Sequence, residues 1–84
     1  MSVINKKKCY TADEVQFLKN IGFRIQFFRK TRGLSQEELA ERSDLSYSTI
    51  SHIESTSCYS VSMLSLYRIA KALGVEPYQL LTFN

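Results

Sequence analysis

Cysteine and histidine are scarce in this chain: Cys9 and Cys58 stand far apart with no CxxC pair, and His52 is the single histidine. That excludes zinc sites of the usual ligand spacing and a disulfide-rich scaffold, and it fits a reducing cytoplasm. No stretch approaches the ~18 to 20 apolar residues of a membrane span. The N-terminal MSVINKKKCYTADE carries lysines without the apolar run of a signal peptide, so the expected protein is soluble and cytoplasmic. Enzyme chemistry finds no foothold either. There is no carboxylate pair at a plausible site, no Cys and His pairing at a known spacing and no glycine-rich phosphate loop. So small a core leaves little room for a substrate pocket, and no catalytic role, cofactor or metal is expected. Internal repeats and low-complexity segments are missing as well.

What the chain has is enough apolar material for one small core. Hydrophobic residues make up 44% of its 84 positions and aromatics 12%, which argues against wholesale disorder and leaves nothing for a second core. With little stability in reserve and no cross-links, a partner subunit is a reasonable expectation. The formal charge of +3 hides an uneven distribution. Residues 1 to 34 hold eight Lys or Arg against Asp13 and Glu14, whereas residues 35 to 84 hold three against six acids. A basic first third suits a polyanion, although a solvated basic face gives the same count.

Helix starts are legible. Thr11-Ala12-Asp13-Glu14 and Ser35-Gln36-Glu37-Glu38 both have the capping-box form, a hydroxyl followed three residues later by a carboxylate. From Asp13 onward, Val15, Leu18, Ile21, Ile25 and Phe28 recur at three- and four-residue steps and form the inner face of a first helix ending near Thr31. Gly33 is its left-handed stop. A short second helix spans about Gln36 to Ser43, with Leu39 inward and Ala40 small enough for close helix approach. Ser46 caps a third helix with Ile50 and Ile53 inward and Tyr47, Ser48, Ser51 and His52 outward. That outward face is polar but almost uncharged. An idle surface helix usually carries Glu and Lys, whereas short hydrogen-bonding side chains suit the reading of base edges. After a hydroxyl-rich loop from Ser55 to Val61, Ser62 caps a fourth helix over about Met63 to Leu73, with Leu66, Ile69, Ala70 and Leu73 inward. Gly74 stops it, and Pro77 opens a brief fifth helix. Residues 1 to 10 show neither period nor cap and are expected to be a flexible basic arm ahead of a domain of residues 11 to 84.

Arg24-Ile25 with Arg29 and Gly33, Leu34-Ser35-Gln36-Glu37-Glu38-Leu39-Ala40, Leu45-Ser46, Thr49-Ile50-Ser51, Ile53-Glu54 and Ile69-Ala70-Lys71-Ala72-Leu73-Gly74-Val75 form a string. Across residues 21 to 81 it resembles the phage repressor and Cro family of helix-turn-helix regulators, also called the xenobiotic-response-element family. The resemblance implies an all-α, compact, lambda-repressor-like domain of five short helices, with helices 2 and 3 as the helix-turn-helix. It also implies a transcriptional regulator that binds specific double-stranded DNA as a homodimer, either a repressor or the controller of a small operon such as a restriction-modification operon.

By this resemblance helix 3 enters the major groove and helix 2 lies across the backbone above it. Gln36 would contact a phosphate or the edge of the outermost base, Tyr47, Ser48 and His52 would set specificity at base edges, and Thr49 would offer its hydroxyl to a phosphate or base. Ser35 and Ser46 would double as caps and phosphate donors through the exposed amides beside them, although capping alone explains both. Arg29 and Glu54 match a family salt bridge, partly shielded from water, that orients the reading helix. Arg24, Lys30 and Arg32 are left as phosphate neutralisers or solvated charge. Tyr78, Leu81 and Phe83 would form the dimer interface, since similar proteins pair through helix 5; the alternative is a tail folded on its own core. A twofold dimer would set recognition helices ~34 Å apart over an inverted repeat.

The chain also departs from the family pattern. Asp44 stands where glycine is usual in the turn between helices 2 and 3, which is tolerable because Asp adopts left-handed backbone more readily than most residues. The loop after Glu54 lacks the customary glycine, basic residues and proline and runs one residue longer, so phosphate contacts do not carry over to Ser57, Cys58, Tyr59 or Ser60. Lys6, Lys7 and Lys8 would restore that charge from the arm. The alternative function is a protein-interaction module of the same fold, such as an antitoxin or an adaptor touching RNA polymerase, with Glu37, Glu38 and Glu41 on helix 2 as its contact. The salt dependence of DNA binding separates the two.

Overall fold

The computed structural model describes residues 10–55 and 59–83. Lys6, Lys7, Lys8 and both cysteines lie outside the described residues, and with them nearly all of the expected N-terminal arm. Four α-helices follow one another: α1 (Ala12–Thr31), α2 (Gln36–Ser43), α3 (Tyr47–Ser55) and α4 (Met63–Leu73). No strand occurs among the described residues, and no helix there is long and apolar enough to cross a membrane.

Local sequence sets each boundary. Thr11 Oγ1 accepts from the Glu14 amide at 3.2 Å while Glu14 Oε1 accepts from the Thr11 amide at 2.9 Å, so two first-turn donors are satisfied reciprocally. Ser35 and Glu38 repeat the arrangement at 3.0 and 2.8 Å on α2. Ser46 Oγ accepts from the Thr49 amide and Ser62 Oγ from the Ser65 amide, each at 3.1 Å. At the other end of α4, Gly74 takes φ 75°, a left-handed stop that costs glycine nothing sterically.

The four helices enclose one core. Ile25, Leu39, Ile50, Ile69, Leu73 and Leu80 are fully buried at its centre, and Ile21, Phe28, Leu34, Ile53 and Leu66 complete it. The expected inner faces of α2, α3 and α4 are all found there; Val15 and Leu18, at the start of α1, are only half-buried.

The expected fifth helix is not an α-helix. Residues Pro77–Leu81 form a 3-10 helix that places Leu80 in the core. Five residues are too few for a ladder of four-residue bonds, and Thr82 is already extended at φ −99°, ψ 116°. The tighter turn is held by the Gln79 amide donating to Glu76 O and the Glu76 amide donating to Gln79 Oε1, both at 2.9 Å.

Two arginines that sequence alone left as phosphate neutralisers or solvated charge are engaged in the fold. Arg24 Nε donates to the Gln79 carbonyl at 3.3 Å, and its guanidinium lies 4.9 Å from the centre of the Phe28 ring. Arg32 Nε donates to the Leu73 carbonyl at 2.8 Å and lies 5.5 Å from the same ring. Together they tie α1 to the end of α4 and to the 3-10 helix, and both guanidiniums lie against the Phe28 ring. Lys30 is exposed.

Candidate nucleic-acid interface

The joint between α2 and α3 is a three-residue turn whose first member carries the strain. Asp44 takes φ 59°, ψ 38°, the left-handed region, and its amide donates to Glu41 O while the Leu45 amide donates back to Ala40 O at 3.0 Å. Leu45 then turns inward against the core and Ser46 opens α3. Ser43, buried beside the turn, donates its hydroxyl to Leu39 O at 2.7 Å, so the one polar side chain enclosed there is satisfied.

The far end of α3 is locked by a polar network. Arg29 Nε donates to Glu54 Oε2 at 2.7 Å and one terminal nitrogen donates to Oε1 at 2.9 Å, a two-pronged pair. The other terminal nitrogen reaches the Leu34 carbonyl at 2.7 Å. The Glu54 side chain is 1% exposed and that of Arg29 10%, so water screens the pair little. Two further donors converge on Glu54 Oε1, the Gln36 side-chain nitrogen at 2.9 Å and that of Gln26 at 3.4 Å. The hydrogen bonds that Arg29 donates to Glu54 raise the Arg29 pKa above its ordinary value; burial opposes this and the Glu54 charge adds to it. One carboxylate thus joins α1, the first residue of α2 and the end of α3.

Packing reinforces this lock. A Cβ on Gly22 would stand 2.5 Å from the Ile53 carbonyl oxygen, so α1 and α3 approach as closely as they do only because position 22 lacks a side chain. Gly22 was not singled out from sequence: a glycine inside an apolar helical run gives no sign of which neighbour presses on it.

With its inner side fixed, α3 turns outward a face of Tyr47, Ser48 and His52, all exposed, with Thr49 and Ser51 half-buried beside them. Thr49 Oγ1 lies 2.9 Å from Ser46 Oγ, so one of the two hydroxyls donates to the other. Ser35 is exposed at the start of α2, and Gln36 is half-buried. The Gln36 side chain has an unforeseen orientation. Glu54 can only accept, so the Gln36 amide nitrogen must face it, leaving the carbonyl oxygen and the second N–H for any other partner. His52 also has unforeseen partners: Nδ1 lies 2.8 Å from the Ser48 carbonyl, and the ring stacks on Tyr59 with centroids 5.9 Å apart and planes 12° from parallel. Ser57 and Cys58 lie outside the described residues, and Ser60 is exposed.

At the C-terminal end, Tyr78 and Leu81 are exposed, while Phe83 is half-buried and meets Phe17 of α1 edge-on at 5.6 Å. Phe83 also shares a shallow cleft with Asn20, Phe23 and Arg24. Phe23, on the outer side of α1, stays more than half exposed beside that cleft, so the apolar surface near Phe83 is wider than the three residues named from sequence.

A family model for the helix-turn-helix matches residues 25–80, and the chain belongs to that family. Its helix-turn-helix is α2, the Asp44 turn and α3. Among proteins similar to it, a hypothetical transcription factor of Neisseria meningitidis is 33% identical over 69 residues, which are 82% of this chain and 64% of that relative's own length. An uncharacterized helix-turn-helix-type transcriptional regulator of Methanothermobacter thermautotrophicus is 48% identical over 52 residues, 62% of this chain and 74% of the relative. Of solved structures, the restriction-modification controller protein C.AhdI from Aeromonas hydrophila superposes with a TM-score of 0.71 at 36% identity, covering 75% of this chain and 94% of that one. The hypothetical transcription factor NHTF from Neisseria gives 0.75 at 31% identity, covering 88% and 84%.

Proposed function

We propose that this chain is a DNA-binding transcriptional regulator that acts as a homodimer on an inverted-repeat operator, as a repressor or as the controller of a small operon. The observation that carries this reading is the outer face of α3. Tyr47, Ser48 and His52 are exposed on a helix whose single charged residue, Glu54, is turned inward and consumed by Arg29. A face built from neutral hydrogen-bonding groups and held rigid from behind suits base edges in a major groove. In this reading Tyr47, Ser48 and His52 contact bases. Thr49, Ser46, Ser35 and Gln36 contact phosphates or the outermost base, the serines through first-turn amides that have no helical acceptor. The kinship with a restriction-modification controller supports an operon-controlling role over a purely structural one.

The dimer forms through the apolar surface at the C-terminal end, Tyr78 and Leu81 with Phe83 at its edge, which one small domain leaves open to water. RNA polymerase is a second partner in this reading, through the exposed carboxylates of Glu37 and Glu41 on α2. Glu38 is engaged in the cap of Ser35.

Selection of bound sequences from random duplex DNA tests the reading, run in parallel with a Tyr47→Ala, His52→Ala double variant. An inverted repeat is expected for the wild type, with its innermost preferences lost in the variant. A pool that never enriches would refute sequence-specific binding. In sedimentation, Tyr78→Ser with Leu81→Ser is expected to shift a dimer to monomers; an unchanged dimer would move the interface elsewhere.

A further inference from the structure

His52 is held by two contacts that point its ring in one way. The Ser48 carbonyl oxygen, 2.8 Å from Nδ1, has lone pairs and no proton, so Nδ1 must be the donor. A neutral imidazole carries one N–H, which leaves Nε2 as a bare acceptor. Rotation of the ring by half a turn would bring carbon to the carbonyl and lose the bond, while the stack on Tyr59 holds the ring in the plane in which that bond is made. Tyr59 is itself anchored, half-buried against the core. The Ser48 carbonyl sets the tautomer, the Tyr59 ring sets the plane, and the exposed side of the imidazole presents an acceptor.

We infer that His52 reads an exocyclic amino group in the major groove, adenine N6 or cytosine N4, and that Tyr59 is the residue that positions it for this. The inference rests on the DNA-binding role proposed above. The major-groove edge of guanine offers only the N7 and O6 acceptors and that of thymine only O4, each of which would face the Nε2 lone pair with its own. An adenine or cytosine amino group supplies the missing proton. Without the Ser48 bond the other tautomer would reverse this preference, so a backbone contact within α3 decides which bases a lone histidine accepts. Tyr59, for which phosphate contact does not carry over from the family, then serves the interface without touching DNA.

Two measurements test this. As the chain has one histidine, nitrogen-15 NMR of the imidazole in the free protein, at the alkaline plateau of its titration, gives the tautomer directly. Wild type and Tyr59→Phe are expected to carry the proton on Nδ1, and Tyr59→Leu, which keeps bulk but removes the flat ring, to show a mixture. A proton on Nε2 in the wild type overturns the inference whatever the DNA result. Selected sites are then compared between wild type and His52→Ala to find the base pair that depends on His52. Replacing adenine there by purine, or cytosine by 2-pyrimidinone, removes only the amino group and should weaken binding about fivefold per half-site, the worth of one hydrogen bond. A 7-deaza base should leave affinity unchanged. Tyr59→Leu should broaden preference at that pair alone, and Tyr59→Phe should restore it. Dependence on guanine N7, or no His52-dependent pair within a clear operator, overturns the inference while DNA binding stands. A pool that never enriches overturns both the base assignment and the DNA-binding reading, and the NMR result then tells whether the ring geometry itself was right.

Discussion

Removing either partner of the Arg29–Glu54 pair should unfold much of the molecule, whereas replacing both with apolar residues should not. Glu54→Ala strands a guanidinium that cannot shed its proton and leaves the side-chain amides of Gln26 and Gln36 without their acceptor. Arg29→Ala leaves a carboxylate 1% exposed with only those two amides and deprives the Leu34 carbonyl of its donor. Breaking a buried pair costs about 3 to 5 kcal/mol, against under ~1 for an exposed one. A domain of 84 residues has on the order of 4 to 12 kcal/mol in all, so either variant loses a large share. Arg29→Met with Glu54→Leu removes both charges along with their desolvation, and such replacements are often neutral or stabilising by roughly 1 to 4 kcal/mol. Urea unfolding followed by circular dichroism, at one protein concentration for wild type, Arg29→Met, Glu54→Leu and the double variant, closes the cycle. Single variants within ~1 kcal/mol of wild type, or effects that simply add, would refute the argument. Because the pair raises the Arg29 pKa, its stabilisation is whole below arginine's ordinary pKa and is lost only as pH rises through the higher folded value. Arg29 therefore lends no pH dependence to stability near neutrality. The apolar double variant should still bind DNA more weakly, since the Gln36 side chain has lost the group that orients it.

Gly22→Ala should destabilise by about 1 to 3 kcal/mol in a thermal melt, despite a helix gain of ~0.5 to 1, because the new methyl meets the Ile53 carbonyl. Asp44→Gly should raise stability by a few tenths to ~1 kcal/mol by relieving the left-handed backbone, and Asp44→Val should lower it; equal melting temperatures for all three would remove the strain argument. For DNA binding, replacing Lys6, Lys7 and Lys8 together by alanine should flatten the plot of log affinity against log salt by up to ~0.9 for each phosphate that is no longer neutralised. An unchanged slope would mean that the arm does not touch the backbone.

The capping boxes, the inner faces and the stop at Gly74 were legible because each is written in residues within one turn of one another. Thr11 with Glu14, and Ser35 with Glu38, make the bonds their spacing implies. What escaped sequence is the meeting of distant segments. The approach at Gly22, the hold of Arg24 and Arg32 on carbonyls 55 and 41 residues away, and the stack of His52 on Tyr59 depend on how helices lie against each other, which no local pattern encodes. The Arg29–Glu54 pair, also distant, was visible only through family resemblance. The fifth helix failed for a different reason: Pro77 after a glycine stop marks a helix start equally well for an α-turn and a 3-10 turn, and only the room left before Thr82 decides between them.

In the DNA-binding role proposed above, affinity and selectivity would have separate sources. From residue 10 onward the chain holds eight Lys and Arg against eight Asp and Glu, so the whole excess of +3 lies in Lys6, Lys7 and Lys8. Of the eight, Arg29 is neutralised by Glu54, while Arg24 and Arg32 are aimed at carbonyls within the fold. The helical body therefore has little non-specific attraction for a polyanion, whose binding energy comes mainly from counterions released by cations. The uncharged outer face of α3 would gain its binding energy only where hydrogen-bond partners match, which penalises wrong sites more than it rewards right ones. One such face is too weak an anchor alone. Two faces joined across a dimer bind as one, because engagement of the first raises the effective concentration of the second. In the proposed reading selectivity thus requires the second subunit, which would make the apolar surface of Tyr78 and Leu81 as much a part of base reading as His52.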